Sequence, residues 1–211
     1  MKNKILNLSI LAVSILTSVV AFFYLPDQVA SHWNYLGAPD GYSSKLSTLI
    51  LFPALLVFMY LLLVFIPQLD PMKKNIAKFN DQFSNFISIM LLFFVLVQYQ
   101  VLLWNLGVQI PFNLSFPILL GGLFYFIGTL LEKSKRNWTI GIRTPWTLSS
   151  DKVWDATHKK GAKLFKISPL VFFLSIFLPN DFTFGIVIGY LLGTVIFLFV
   201  YSYLLFKKEQ K

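Results

Sequence analysis

Cysteine is absent from the chain, which excludes disulfides, thiol nucleophiles and thiolate metal sites. Charge is scarce as well. Only 13% of the 211 residues are charged, about half the roughly one quarter a soluble domain uses to cover its surface. What fills the space is apolar: 56% of residues, 23 of them phenylalanine, with a mean hydropathy of +0.69. The broad class is an integral membrane protein. The net charge of +9 would suggest nucleic acid in a soluble chain. In a membrane chain it reads as lysine and arginine gathered on the cytoplasmic side, with no direct nucleic-acid contact.

Uncharged runs, read at about 20 residues per crossing, give six spans. They are Ile5–Leu25, Leu46–Ile66, Phe83–Leu106, Leu114–Leu131, Ile167–Leu178 and Phe182–Phe206, the last two separated by Pro179-Asn180-Asp181, a turn signal. With six crossings and both termini cytoplasmic, only Lys45 of the 18 basic residues falls on the outer side. The short fifth run is the weakest span, and a re-entrant piece is its competitor. The first run is too long for the roughly 7–15-residue core of a cleaved signal peptide and reads as retained. The expected fold is all-α and polytopic, in four stretches. Residues 1–67 hold two spans and an outer loop (26–45), and 68–131 hold two more. A cytoplasmic loop covers 132–166, and 167–211 hold the last two spans and a basic tail.

Within the spans no charge lies at mid-depth. Gln98, Gln100 and Asn105 are the most polar residues there and read as interhelical hydrogen-bonding groups. Gly185, Gly189 and Gly193 form a stripe along the last span that predicts close helix packing.

Two loops carry specific chemistry. In the outer one, "YLPDQVASHWNYLGAPDGYSSK", Pro26 stops the helix and Gly37, Pro39 and Gly41 mark turns. His32, Asn34, Asp40 and Lys45 supply polar contacts. The loop reads as a structured lid at the bilayer surface or a face that meets an extracellular ligand; one histidine and two carboxylates fall short of a metal site. In the cytoplasmic loop, "RNWTIGIRTPWTLSSDKVWDATH", Gly141 permits an unusual backbone and Pro145 forces Thr144 to be extended. The Gly141–Thr147 segment is therefore expected to be fixed and non-helical. A short helix follows, capped by Ser149 or Ser150 and ended by Gly161, with Trp154 and His158 on one face and Asp155 within pairing reach of His158. Trp138, Trp146 and Trp154 read as interfacial anchors, and the lysines as contacts to anionic lipid headgroups. Arg143 reads as an internal clamp or as a fork for a partner or lipid. No nucleophile accompanies Asp155 and His158, so no catalytic residue, cofactor or metal is assigned.

The run "RNWTIGIRTPWTL" with the following "VW" resembles the signature of the SdpI family of bacterial immunity proteins, and the outer loop resembles the motif that often accompanies it. Gly141, Arg143, Thr144, Pro145, Trp146, Thr147, Leu148 and Trp154 carry the signature, with Asn137 and His158 beside them. The resemblance implies a multipass protein of the bacterial plasma membrane that protects its producer from a secreted killing peptide. It also implies that the protein can act as a receptor drawing a cytoplasmic transcriptional repressor to the membrane. The alternatives left by the residues are a small transporter or exporter of a hydrophobic compound or peptide, a membrane-embedded enzyme using His32 or His158, and a cell-envelope stress sensor.

Overall fold

The computed structural model describes residues 2–210. Lipid offers the backbone no hydrogen-bond partner, so apolar segments of this length satisfy themselves as helices. In chain order come α1 (Lys4–Ala21), a hairpin of β1 (Gln28–Trp33) and β2 (Pro39–Ser44), α2 (Lys45–Leu69), the short α3 (Lys73–Ile76) with a 3-10 turn (Ala77–Phe79), and α4 (Asn80–Asn105). Then follow α5 (Phe112–Lys133), the five-residue α6 (Pro145–Ser149), α7 (Asp151–Ser175) and α8 (Asn180–Glu209). Among the described residues, five helical stretches are long and apolar enough to cross a membrane: α1, α2, α3 through α4, α5 and α8. The fold is thus a mostly helical, multipass membrane architecture. The described chain ends lie at the same end of the bundle as the signature loop, where Lys2 Nζ is 3.4 Å from Asp81 and Ser150 Oγ donates to Glu209 at 2.7 Å.

Polar side chains fasten α1 to α4. Ser88 Oγ donates to Asn7 Oδ1 at 2.6 Å; farther along, Ser14 Oγ donates to Gln98 Oε1 at 2.6 Å, and Gln98 Nε2 reaches Ser18 Oγ at 2.9 Å. All five are buried. Away from water such bonds have no solvent competitor, each worth about 0.6–2 kcal/mol between membrane helices. Gln100 donates to the Ile110 carbonyl at 2.6 Å, closing the α4–α5 connection instead of bridging two helices. The central apolar cluster is built around Leu56, Phe79, Ile87 and Leu91.

Helices α5 and α7 approach most closely, through glycines outside the expected stripe. A Cβ on Gly121 would lie 2.9 Å from the Pro169 Cα, and one on Gly128 would lie 2.9 Å from the Ala162 carbonyl. Pro169 leaves the Phe165 carbonyl without its helical donor, and Ser168 Oγ fills the gap at 2.7 Å.

Several expectations need correction. The outer loop is a two-stranded antiparallel hairpin, so the chain is not wholly α. Pro145–Ser149 is a helical turn: Thr144 is extended, as the following proline requires, but Pro145 then occupies the first helical position, where its missing N–H costs nothing. Gly161 ends no helix. The signature helix and the fifth apolar run are one 25-residue α7, roughly 37 Å long at 1.5 Å per residue, and Gly161 is where Ile142 packs against it. Gly185, Gly189 and Gly193 face open space, with nothing within 4 Å of a Cβ placed on any of them. The long apolar side chains around them carry α8 against its neighbours elsewhere, through Val187 and Leu198.

The two sets of glycines predict opposite outcomes. Gly128→Val should destabilise the bundle by about 1–3 kcal/mol through overpacking, whereas Gly189→Val should leave it unchanged. Thermal unfolding of the two purified variants in one detergent is the measurement; equal melting temperatures would refute the assignment.

Candidate functional site

The signature loop is a small folded unit knotted by side-chain bonds to its own backbone. Asn137, fully buried, accepts from the Thr139 and Ile140 N–H groups at 2.9 and 2.6 Å, and its Nδ2 donates to the Lys135 and Ile140 carbonyls at 2.8 and 2.9 Å. Thr144 and Thr147 form a reciprocal cap on α6, and Thr147 Oγ1 also donates to the Ile142 carbonyl at 2.8 Å. Thr144 Oγ1 lies 3.0 Å from Ser202 Oγ on α8, and Trp146 packs edge-on against Phe199 with Tyr203 beside it. The unit is thereby fixed to α8.

His158 holds it to α7. The imidazole Nε2 accepts the Ile142 N–H at 2.9 Å, so Nε2 carries no proton; Nδ1 therefore carries it and donates to the Trp154 carbonyl at 2.8 Å. Its ring stacks on Trp154 at 3.9 Å between centroids and 17° between planes, and the Trp154 indole N–H reaches the Ser134 carbonyl at 3.2 Å. Gly141, at φ +125°, passes directly over this stack, and any Cβ would collide with His158 Nε2 and the Trp154 ring. Glycine is required there twice, by conformation and by space. Burial pushes the His158 pKa down from 6.5 to about 4, against the smaller raising effect of the bond to Trp154. The expected Asp155–His158 pair does not form: Asp155 is 3.6 Å from Lys135 and faces solvent, while His158 turns inward. Nor is Trp154 an interfacial anchor, being fully buried; Trp138, 54% exposed, keeps that surface position.

A third anchor escaped sequence reading. Asp70, beyond the end of α2, is buried, and its Oδ2 accepts from the Trp138 N–H at 2.9 Å and the Thr139 hydroxyl at 2.8 Å. Its Oδ1 takes the Met72 N–H at 2.6 Å. The signal was present in Asp70-Pro71, a turn-forming pair at a helix end, but its partner 68 residues away was not. Arg136 donates to the Leu148 carbonyl at 2.8 Å and lies 2.7 Å from Asp151, the carboxylate off its N–H axis. Arg143 donates one bond, to the Trp138 carbonyl at 2.7 Å, and otherwise faces solvent. It clamps the loop and still presents most of its fork outward.

At the opposite end, Asn34 shapes the hairpin turn, its Oδ1 accepting the Leu36 and Ala38 N–H groups at 3.0 and 3.1 Å with Gly37 at φ +79°. His32 and Asp40 pair at 2.5 Å on the exposed surface, and Pro26 lies exposed before β1. Among the described residues no group of three or more candidate metal ligands occurs. Lys45 pairs with Asp27 at 3.1 Å over the Phe22 ring. Asn105 docks the hairpin on α4, its carboxamide making both bonds a neighbouring strand would make to Ala30, at 2.8 and 3.0 Å. Trp33 stacks on Phe112 at 3.9 Å.

These features define a multipass helical membrane protein with a buttressed polar loop at one end and a docked hairpin at the other. Residues 133–202 match the SdpI/YfhL protein family, and residues 9–57 match a domain of unknown function, DUF1648. The chain is 28% identical to the immunity protein SdpI of Bacillus subtilis (strain 168) over 210 residues, covering 99% of this chain and 98% of that protein. The family match thus falls on the signature loop and the helices that follow it, and the similarity to the immunity protein runs the length of the chain. No solved structure matches it.

His158 makes stability depend on pH with a definite sign. Because its folded pKa is depressed, the stabilisation is complete above about 6.5 and lost as pH falls toward 4, at up to about 1.4 kcal/mol per pH unit. Denaturation midpoints measured between pH 7 and pH 4 should fall for the wild type and fall less steeply for His158→Gln. Parallel curves would overturn this account.

Proposed function

We propose that the chain is an immunity protein of the bacterial plasma membrane, protecting the cell against a secreted killing peptide. The observation that carries this reading is the nearly full-length similarity to an immunity protein, in a chain whose two motifs each form a folded unit at one end of the bundle. In this reading the chain crosses the bilayer six times with both termini cytoplasmic. Helix α7 is the fifth crossing, its charged first half bearing the signature loop and its apolar second half lying against α5. The Glu132–Lys166 pair, at 2.6 Å, marks the cytoplasmic boundary between them. The four stretches, 1–67, 68–131, 132–166 and 167–211, are then the hairpin pair, the central pair, the signature loop and the closing pair. The protein acts by binding and not by catalysis.

The exposed Trp138 and the outward fork of Arg143 favour a second role, as a docking face for a cytoplasmic repressor or anionic lipid headgroups. Such signalling requires that peptide bind one arrangement of the bundle more tightly than another. A transport path finds less support, since Gln98 and Gln100, the polar groups it would use, are both engaged inside the protein.

Expression in a bacterium sensitive to an Sdp-type killing peptide tests this. Cells carrying the wild type should survive a challenge that kills vector controls. Asp70→Ala, which strips two acceptor contacts from the loop, and Arg143→Ala should lower survival toward the vector level at matched membrane abundance. Death of wild-type cells at that abundance would refute the immunity reading.

A further inference from the structure

An apolar groove of about 850 Å³ between α1 and α2 is lined by hydrocarbon and by Ser18, which is already bonded to Gln98. Nothing in it selects a peptide over a lipid tail. A second cavity, of about 370 Å³, differs in kind. It lies beneath the hairpin, where β1 forms the roof and α2, α4, α5 and α8 form the walls, and it falls at the lower end of the roughly 300–1,000 Å³ of small-ligand sites. Its lining includes the rings of Trp33, Tyr35, Phe52, Phe112, Phe116 and Phe184.

Two polar atoms on residues that line this cavity have no hydrogen-bond partner: Trp33 Nε1, a donor, and Asn113 Oδ1, an acceptor. A buried polar group left unpaired costs about 1–3 kcal/mol, so something that satisfies both is favoured there. A peptide group carries one acceptor and one donor. A hydrocarbon chain carries neither. Both atoms are covered in this structure, so a ligand reaches them by displacing the Trp33–Phe112 stack and the Gly37 backbone that overlies Asn113. Both covers belong to the hairpin or to its contact with α5, the one part of the bundle held by a turn and a docked strand instead of by packed helices.

We infer that this cavity is a peptide-binding site. It takes an aromatic or aliphatic side chain among its rings, while the adjoining backbone amide bonds to Trp33 and Asn113. The inference rests on the immunity reading and names the place where the killing peptide is held. Peptide partitioned into the outer leaflet would reach it from the membrane flank, and the hairpin would close over it.

The test uses the full chain in lipid nanodiscs and an Sdp-type killing peptide carrying a photoreactive diazirine, with adducts mapped by mass spectrometry and survival scored in parallel. Wild-type adducts should fall on residues 31–35, 112–120 and 183–188. Val187→Trp, which fills the cavity from α8, should weaken peptide capture about tenfold or more. Val195→Trp, exposed on the same helix, should not. Adducts spread along the α1–α2 groove, or full protection by Val187→Trp, would overturn the site while leaving immunity intact, and would mark the cavity as a lipid pocket. Failure of the wild type to protect and to form any adduct would overturn the immunity reading, and this inference with it.

Discussion

One ring nitrogen, His158 Nε2, receives the backbone of the signature loop, and it can do so only while unprotonated. The rest of that end of the molecule is arranged around this bond. Trp154 covers the ring, and Gly141 lets the chain pass over it without a side chain. Asn137 presents the following backbone in the right direction, and Asp70 draws the loop's outer edge onto the end of α2. Each partner is a group that would be costly to leave unpaired away from water. The loop is thus a polar core in a chain with little polar material, and it joins the end of α2 to α7 and α8.

The hairpin end uses a different device. β1 and β2 form too small a sheet to stand alone. The sheet is held because Asn105 imitates a third strand and Trp33 packs its ring against Phe112 and Trp104. Of the two strands only Val29 and Ala30 are buried, and their other residues are exposed or half-buried. That sparse burial makes the hairpin the part of the structure best suited to move for a ligand, since segments with few packed contacts open at the lowest cost.

The bilayer class and the long apolar helices were legible because hydrocarbon imposes one rule on every segment, and uncharged runs record it directly. The signature residues were legible as types: Gly141 for its backbone, Pro145 for the residue before it, Trp154 and His158 for a shared face. Their partners were not. Spacing of three placed Asp155 beside His158, but which side of α7 is buried depends on where the loop folds back. The strands escaped because "QVASHW" and "PDGYSS" have weak alternation and contain Pro, Asp and Gly, so their pairing comes from the docking on α4. Gly161 looked like a stop because glycine is the usual residue just past a helix end. Helix α7 continues through, since a glycine costs only about 1 kcal/mol in a helix and Ile142 packs where a methyl group would stand.

That continuity ties α7 to both ends at once. His158 must meet Ile142 near its start, Gly128 must clear Ala162 in its middle, and Pro169 must lie against Gly121 two turns later. Each added or deleted residue would rotate everything beyond it by about 100° and shift it by about 1.5 Å. No loop between these three meeting points can absorb the error. Among the elements of this protein, α7 is therefore the one whose length is least free to change: relatives can vary its side chains, but an insertion between His158 and Pro169 would tear one face of the helix from its partners.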